Sequence, residues 1–283
     1  MKVCYIGANG MLGQDFMEAA AQAGHEATGL DLPAIDITSP ESVRANLPAC
    51  DVVITGAAFT RVDDAEKEVE LARRINADGA GNVARVCAER GMRLLHISTD
   101  YVFDGKKGSA YVETDPVNAL SAYGRTKLEG EEQVQAAGGE ALIVRTQSLY
   151  GIHGRNFVKA IRNQVRQGKK ELTVVSDQVS SPTYTRALAM ALLKLAAISE
   201  TGIVHVASRG ACSWFDFARA ILEQSGVSDV TVKPMAAATL NYPAPRPAYS
   251  ELSTERYSSW TGEQMPVWQD GLRAYLSEEE PLS

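Results

Sequence analysis

The stretch Val3-Cys4-Tyr5-Ile6-Gly7-Ala8-Asn9-Gly10-Met11-Leu12-Gly13 decides how this chain is read. Four apolar residues in succession form a short buried strand, and a helix pattern follows from Phe16 to Ala23. Between them Gly7, Gly10 and Gly13 recur at every third position. Glycines at such a junction let the backbone approach a pyrophosphate, and the open N–H groups and dipole of the next helix attract its charge. The spacing differs from the commoner Gly-x-Gly-x-x-Gly, so the strand before it, the helix after it and an acid further on are what define a dinucleotide site. That acid is Asp31, at the close of the second strand, 26–30. A carboxylate there accepts hydrogen bonds from an adenosine ribose and repels a 2′-phosphate. Leu32, Pro33 and Ala34 bring no cation to offset it. The expected cofactor is NADH or NADPH, with Asp31 favouring NADH.

Further strands are expected at 51–55, 94–99 and 141–146, each separated from the last by helical sequence. Strands alternating with helices imply a doubly wound parallel sheet, the Rossmann form of the α/β class. Ser98, Thr99 and Asp100 then fall at a strand's carboxyl end, the edge where such sheets bind ligands. Tyr123 and Lys127 stand four apart on one face of a helix expected to run to about Ala137. A cation beside a tyrosine favours its charged form, so the pair reads as a proton donor tuned by Lys127. After the strand at 51–55, Gly56-Ala57-Ala58 is an exit of small residues where a flat cofactor ring can lie against backbone. Ser39 and Pro40 mark a helix start behind Asp36-Ile37. The acids Asp63, Asp64, Glu66, Glu68 and Glu70 read as the first turns of a solvated helix. Asn76 lies inside helical sequence against its propensity, which points to a specific hydrogen bond or to a place on the surface. Beyond Gly151 the pattern loosens into a smaller, interleaved substrate-binding lobe. Residues 1–150 are expected to form the dinucleotide-binding domain and 151–283 mainly the lobe, with some segments returning to the first.

A formal net charge of -7 with no basic tract argues against a nucleic-acid partner. Cys4, Cys50, Cys87 and Cys212 lack any Cys-x-x-Cys spacing and read as reduced thiols of a cytoplasmic protein. No signal segment and no apolar run of membrane-spanning length is visible, so no membrane association is expected.

With Gly7, Gly10 and Gly13, Ser98-Thr99-Asp100 and Tyr123-x-x-x-Lys127 in place, the chain resembles the extended short-chain dehydrogenase/reductases. Within them it is similar to the dTDP-4-dehydrorhamnose reductase family. The stretches that carry this are Ala57-Ala58-Phe59-Thr60, Ser98-Thr99-Asp100-Tyr101-Val102-Phe103-Asp104-Gly105, Ser181-Pro182-Thr183 and Arg246-Pro247-x-x-Ser250-x-Leu252. The resemblance implies reduction of the 4-keto group of a nucleotide-linked 6-deoxy sugar, giving dTDP-L-rhamnose. It implies Tyr123 as proton donor, Lys127 on the nicotinamide ribose, Thr99 on the reacting oxygen and Asp100 on the sugar. Met11, Leu12, Asp31, Asp36, Ile37, Ala57, Ala58 and Phe59 would join the glycines around the cofactor.

Three departures follow. The family usually has Thr-Ser-Trp where this chain has Thr146-Gln147-Ser148, which puts Ser148 in the sugar site and opens the sugar's identity. Some members bridge a homodimer through magnesium held by glutamates. Asp15 and Arg186 stand at those positions, and an arginine repels the ion, so no metal is expected whether or not the chain forms a homodimer. Thr55-Gly56 replaces a usual Asn-Ala. Alternatives are a reductase or epimerase of another nucleotide sugar, and a non-catalytic binding subunit resembling the regulatory subunit of methionine adenosyltransferase. Tyr101 after Asp100 removes the second acid that related dehydratases carry. His153 is read as a second acid near the sugar or as a loop histidine without a chemical role.

Overall fold

The computed structural model describes residues 1–282. In chain order its elements are β1 (Lys2–Ile6), α1 (Met11–Gln22), β2 (Glu26–Leu30), α2 (Pro40–Asn46), β3 (Val52–Thr55), α3 (Val62–Ala65), α4 (Val69–Arg73), α5 (Ala80–Glu89), β4 (Arg93–Thr99), α6 (Ala122–Ala136), β5 (Ala141–Thr146) and β6 (Leu149–Tyr150). They continue as α7 (Phe157–Arg166), β7 (Glu171–Val175), β8 (Val179–Ser180), β9 (Thr183–Tyr184), α8 (Thr185–Ala196), β10 (Gly202–His205), β11 (Cys212–Ser213), α9 (Trp214–Gln224), β12 (Thr231–Met235), α10 (Glu255–Thr261) and α11 (Trp268–Glu278). The main sheet is parallel throughout, in the order β10-β5-β4-β3-β1-β2. From β1 the chain first steps to one side, to β2, and then to the other, to β3. The crevice at that reversal is where open α/β sheets take ligands.

Alternation along the strands builds two layers. Val3 and Tyr5 of β1, Val52 and Ile54 of β3, and Leu142 and Val144 of β5 face one core, closed by α1 and α8. Cys4, Ile6, Val53 and Ile143 face the other, beneath α2 and α5. Ser39 caps α2 by accepting the Ser42 N–H at 3.1 Å, and Pro40 holds the first helical position. A second body of side chains gathers around Tyr150, Val158, Ile161, Phe217, Trp268 and Tyr275. The chain does not stay there once it leaves β6: β10 joins the main sheet beside β5, and Leu188 of α8 and Tyr257 of α10 complete the first core. Trp268 is buried in the second core, Trp214 packs on it, and Trp260 packs on the first.

The acidic cluster differs from the expected solvated helix. It spans two short helices, α3 and α4; Asp64 and Glu68 pair with the nearby Arg61, while Asp63 and Glu66 reach distant parts of the chain. Asp63 receives both terminal nitrogens of Arg246, at 3.1 and 2.8 Å. Glu66 accepts the Ala122 N–H at 2.7 Å, at the start of α6, where Ser121 also caps by accepting the Gly124 N–H. Asn76 is 1 % exposed, within a wide helical turn at 74–79. Its oxygen accepts from Phe59 N, and its nitrogen donates to Phe59 O and Thr126 Oγ1. All four cysteines are free. Among the described residues no helix is long and apolar enough to cross a membrane.

Candidate active site

A cleft of about 970 Å³ runs along the carboxyl edge of the sheet. Gly7, Gly10, Met11, Leu12, Gly13, Asp31, Asp36, Ile37, Ala57, Ala58, Thr99, Asp100, Tyr123, Lys127 and Ser148 all line it. Their separation along the chain is large, and the sheet edge alone brings them together.

The glycines are there because nothing larger fits. Gly7 has φ +94°, and a methyl group on Gly13 would lie 2.4 Å from the Gly7 carbonyl oxygen. The turn therefore holds α1 tight against β1. No side chain caps the first turn of α1, so its N–H groups stay open to an anion. Asp31 steadies this turn: its carboxylate accepts the N–H groups of Asn9 at 3.1 Å and Leu32 at 2.8 Å. Asp36 folds on itself by accepting the N–H and hydroxyl of Thr38. A dinucleotide fits this turn: Gly7 and Gly13 let the backbone of β1, α1 and the exit of β3 close up without side chains between them, and no side chain occupies the first N–H groups of α1.

Phe59 departs from expectation. Its ring is 4 % exposed, outside the cleft, and packs with Ala65, Ala72 and Ala122. Its backbone is pinned by Asn76, so this residue shapes the wall behind the cofactor side without lining it. Gly56 also finds its reason. A Cβ there would lie 2.4 Å from the Tyr5 hydroxyl oxygen, so the tyrosine of β1 fills the space that an alanine methyl would need.

At the other end of the cleft stand Thr99, Tyr123 and Lys127. The Lys127 ammonium donates to the Ile97 carbonyl at 2.7 Å and lies 3.4 Å from His96 Nε2. Burial brings its pKa down from 10.5 to about 8, the Glu131 carboxylate opposing the fall. Burial also drives His96 well below the usual imidazole value, assisted by the Lys127 cation, which leaves His96 neutral as an acceptor. Tyr123 corrects the sequence expectation. Burial raises its pKa to about 12, the Thr99 hydroxyl offsetting part of the rise and Asp100 adding to it. In this pocket desolvation outweighs any pull from Lys127, so Tyr123 holds its proton firmly. Asp100 is buried too, its pKa raised to about 6 by loss of solvent against the hydrogen bonds from Ser250 at 2.6 Å and Thr99 at 3.1 Å.

Several cleft residues were given no role in the site by the sequence reading. Tyr101 meets the Tyr123 ring edge-on at 5.5 Å between centroids. Gln147 and Arg155 also line the cleft. Glu131 lies behind it, and the helical spacing Tyr123, Lys127, Glu131 was a usable signal for that residue. His153 does not line the cleft; its Nε2 lies 3.6 Å from Asp15 and 3.4 Å from Glu18. Arg186, expected to repel a metal, is paired with Glu278 at 2.7 Å. Asp15, Glu18 and His153 place one ligand atom each within 4.8 Å of one another, and a protonated His153 would pair with both acids without an ion.

A glycine turn at the reversal of a parallel sheet, with a tyrosine and a lysine one helical turn apart facing a strand-end threonine, defines an extended short-chain dehydrogenase/reductase. The family model described as RmlD substrate binding domain matches residues 1–280. The dTDP-4-dehydrorhamnose reductase of Mycobacterium tuberculosis (strain ATCC 25618 / H37Rv) is 40% identical, over 98% of this chain and 92% of that protein. The spore coat polysaccharide biosynthesis protein SpsK of Bacillus subtilis (strain 168) is also 40% identical, over 98% of this chain and 97% of that protein. Among solved structures, dTDP-4-dehydrorhamnose reductase from Bacillus anthracis in complex with NADP superposes with a TM-score of 0.94 at 36% identity, covering 98% of this chain and 99% of that one. The chain belongs to the dTDP-4-dehydrorhamnose reductase family.

Proposed function

We infer that this protein reduces the 4-keto group of a nucleotide-linked 6-deoxy sugar, dTDP-4-dehydrorhamnose, to dTDP-L-rhamnose. The observation that carries the reading is the meeting of the glycine cradle with Thr99, Tyr123 and Lys127 in one cleft of a chain of this family. A bound NADH or NADPH supplies the hydride. The turn at Gly7, Gly10 and Gly13, with Asp31, Asp36, Ile37, Ala57 and Ala58, holds the dinucleotide. Tyr123 keeps its proton until an alkoxide forms at the sugar carbon, then gives it up. Thr99 orients the reacting oxygen, Asp100 holds the sugar, and the Lys127 cation stabilises charge beside them. The Bacillus anthracis relative is in complex with NADP. Here the carboxylate of Asp31 stands at the end of β2, which favours NADH while leaving NADPH usable.

The test is the fall in NADH or NADPH absorbance when the purified protein meets enzymatically prepared dTDP-4-dehydrorhamnose. Oxidation is expected with both, with kcat/KM higher for NADH. Binding of both cofactors without any oxidation would leave the protein as a cofactor-binding subunit and overturn the reading.

The reading also sets a pH dependence. Because Lys127 titrates near 8 in the folded protein, kcat/KM should fall about tenfold per pH unit above that value as the cation is lost. Tyr123, held near 12, contributes nothing to this limb. The stability sign is opposite: between pH 8 and 10.5 the unfolded chain keeps a proton that the folded chain has shed, so raising pH across that window relieves a folding penalty. A profile that stays flat up to pH 10 would show that the charge on Lys127 is not needed.

A further inference from the structure

Two acceptors on β4 hold the Lys127 ammonium, and they are neighbours in the chain. The Ile97 carbonyl accepts at 2.7 Å, and His96 Nε2 lies 3.4 Å away. An ammonium has three N–H donors, so one is left for the reaction in the cleft that Lys127 lines. His96 itself is 1 % exposed and acts from behind the cleft wall. Alternation along β4 puts His96 and Ser98 on the face of Leu94, which α6 covers with Val134. There Ser98 donates to Glu131, one helical turn beyond Lys127. A strand pattern His-x-Ser thus meets a helix pattern Lys-x-x-x-Glu, and each strand side chain holds one charge.

The imidazole can play this part in one tautomer only. Nε2 accepts from a cation when the single ring hydrogen is on Nδ1. Nδ1 has no partner among the described residues, so no second contact competes with the cation in setting the tautomer. Burial, and after it the adjoining cation, oppose a charge on the ring, so His96 stays neutral where an exposed histidine would be protonated. We propose that His96 is a positioning residue for Lys127: its Nε2 takes one N–H of the ammonium and leaves a single donor, in a fixed direction, for the reaction. What that donor does rests on the reductase reading above; the hold of His96 on the cation does not.

The test is read on the two side chains themselves. In wild-type protein carrying 15N-labelled histidine, the His96 ring should show a bare Nε2 and a protonated Nδ1 across the interval around pH 6.5 in which an ordinary histidine takes up charge. Hydrogen on Nε2, or a ring that becomes charged in that interval, would overturn the proposal. With lysine labelled with 13C at Cε, the Lys127 signal, assigned by its loss in Lys127→Met, should titrate near pH 8. His96→Leu removes the acceptor and should lower that midpoint by about one pH unit, because the hydrogen bond favours the charged form. His96→Gln offers an amide oxygen near the place of Nε2 and should restore it. The other groups around Lys127 are the same in both variants: Tyr123 and Glu131 of α6, Asp100 after β4, Arg74 on the turn at 74–79, and Arg145 of β5, which Glu131 holds. The alkaline limb of kcat/KM should move with the midpoint. A midpoint that stays near pH 8 in His96→Leu would overturn the proposal. So would equal displacement in the leucine and glutamine variants, which would make His96 a filler of space. If the midpoints behave as expected and the wild type shows no turnover, the reductase assignment fails and the hold of His96 on Lys127 stands.

Discussion

Tyr123→Phe is expected to lower kcat by about 10³-fold, within the range for losing a positioned general acid, while the Kd for NADH is unchanged. The argument is geometric first. The hydroxyl lies in the cleft on the first turn of α6, beside Thr99, and the aromatic ring keeps its edge-on contact with Tyr101 when the oxygen goes. Burial keeps the phenol protonated, with a pKa near 12, so at neutral pH it is a donor in waiting and has no need of prior protonation. Its strength as an acid must come when an alkoxide develops beside it, since the alkoxide is the stronger base. Lys127→Met should behave differently, losing cofactor affinity as well as rate, because its ammonium both charges the pocket and holds the Ile97 carbonyl. The measurement is single-turnover reduction beside fluorescence titration with NADH. Near wild-type turnover in Tyr123→Phe would remove the proton-donor role.

What was legible in the sequence was what depends on neighbours along the chain. The glycine turn, the alternating strands and the Tyr–Lys spacing are local patterns, and strands alternating with helices imply a parallel sheet through the crossover rule, whereas the order of its strands came from the structure. What was hidden depends on partners far away in sequence. Asp63 reads as a surface acid until Arg246, 183 residues on, is seen across from it. Phe59 reads as a cofactor contact because its neighbours are; only Asn76 shows that the backbone is turned to bury the ring. The Tyr123 pKa took the wrong direction because a sequence reveals the nearby charge and not the desolvation that outweighs it. The Gly56 departure needed the position of Tyr5, two strands away in chain order yet adjacent in the sheet. His96 needed a full account of hydrogen-bond partners, which no spacing rule contains.

Glu131→Gln is expected to destabilise the fold by about 3–5 kcal/mol, more than any other single substitution near the cleft, because it strands a buried cation. Arg145 of β5 and Glu131 of α6 are each 2 % exposed. The guanidinium meets the carboxylate with two hydrogen bonds, 2.9 and 2.6 Å, and Ser98 donates a third at 2.5 Å. The Arg145 plane lies 5.2 Å from the centre of the Phe103 ring, so its remaining surroundings are aromatic rather than wet. Taking away Glu131 leaves the Arg145 guanidinium buried without the carboxylate that pairs it, and taking away Arg145 leaves Glu131 with only the more distant Lys127 cation. Taking away both should cost much less, so Glu131→Leu with Arg145→Met is expected to be more stable than either single variant, and the interaction energy from the cycle to be large. Salt should alter none of this, since the pair is screened from ions by burial. The same change reaches the chemistry. Glu131 is the charge that supports the Lys127 cation, so in Glu131→Gln the alkaline limb of kcat/KM should move to lower pH while Tyr123 is untouched. Urea unfolding and the pH profile are therefore read on one set of proteins. A single variant as stable as wild type would mean that water reaches the pair, and a limb that stays in place would mean that Glu131 holds α6 against the sheet without tuning Lys127.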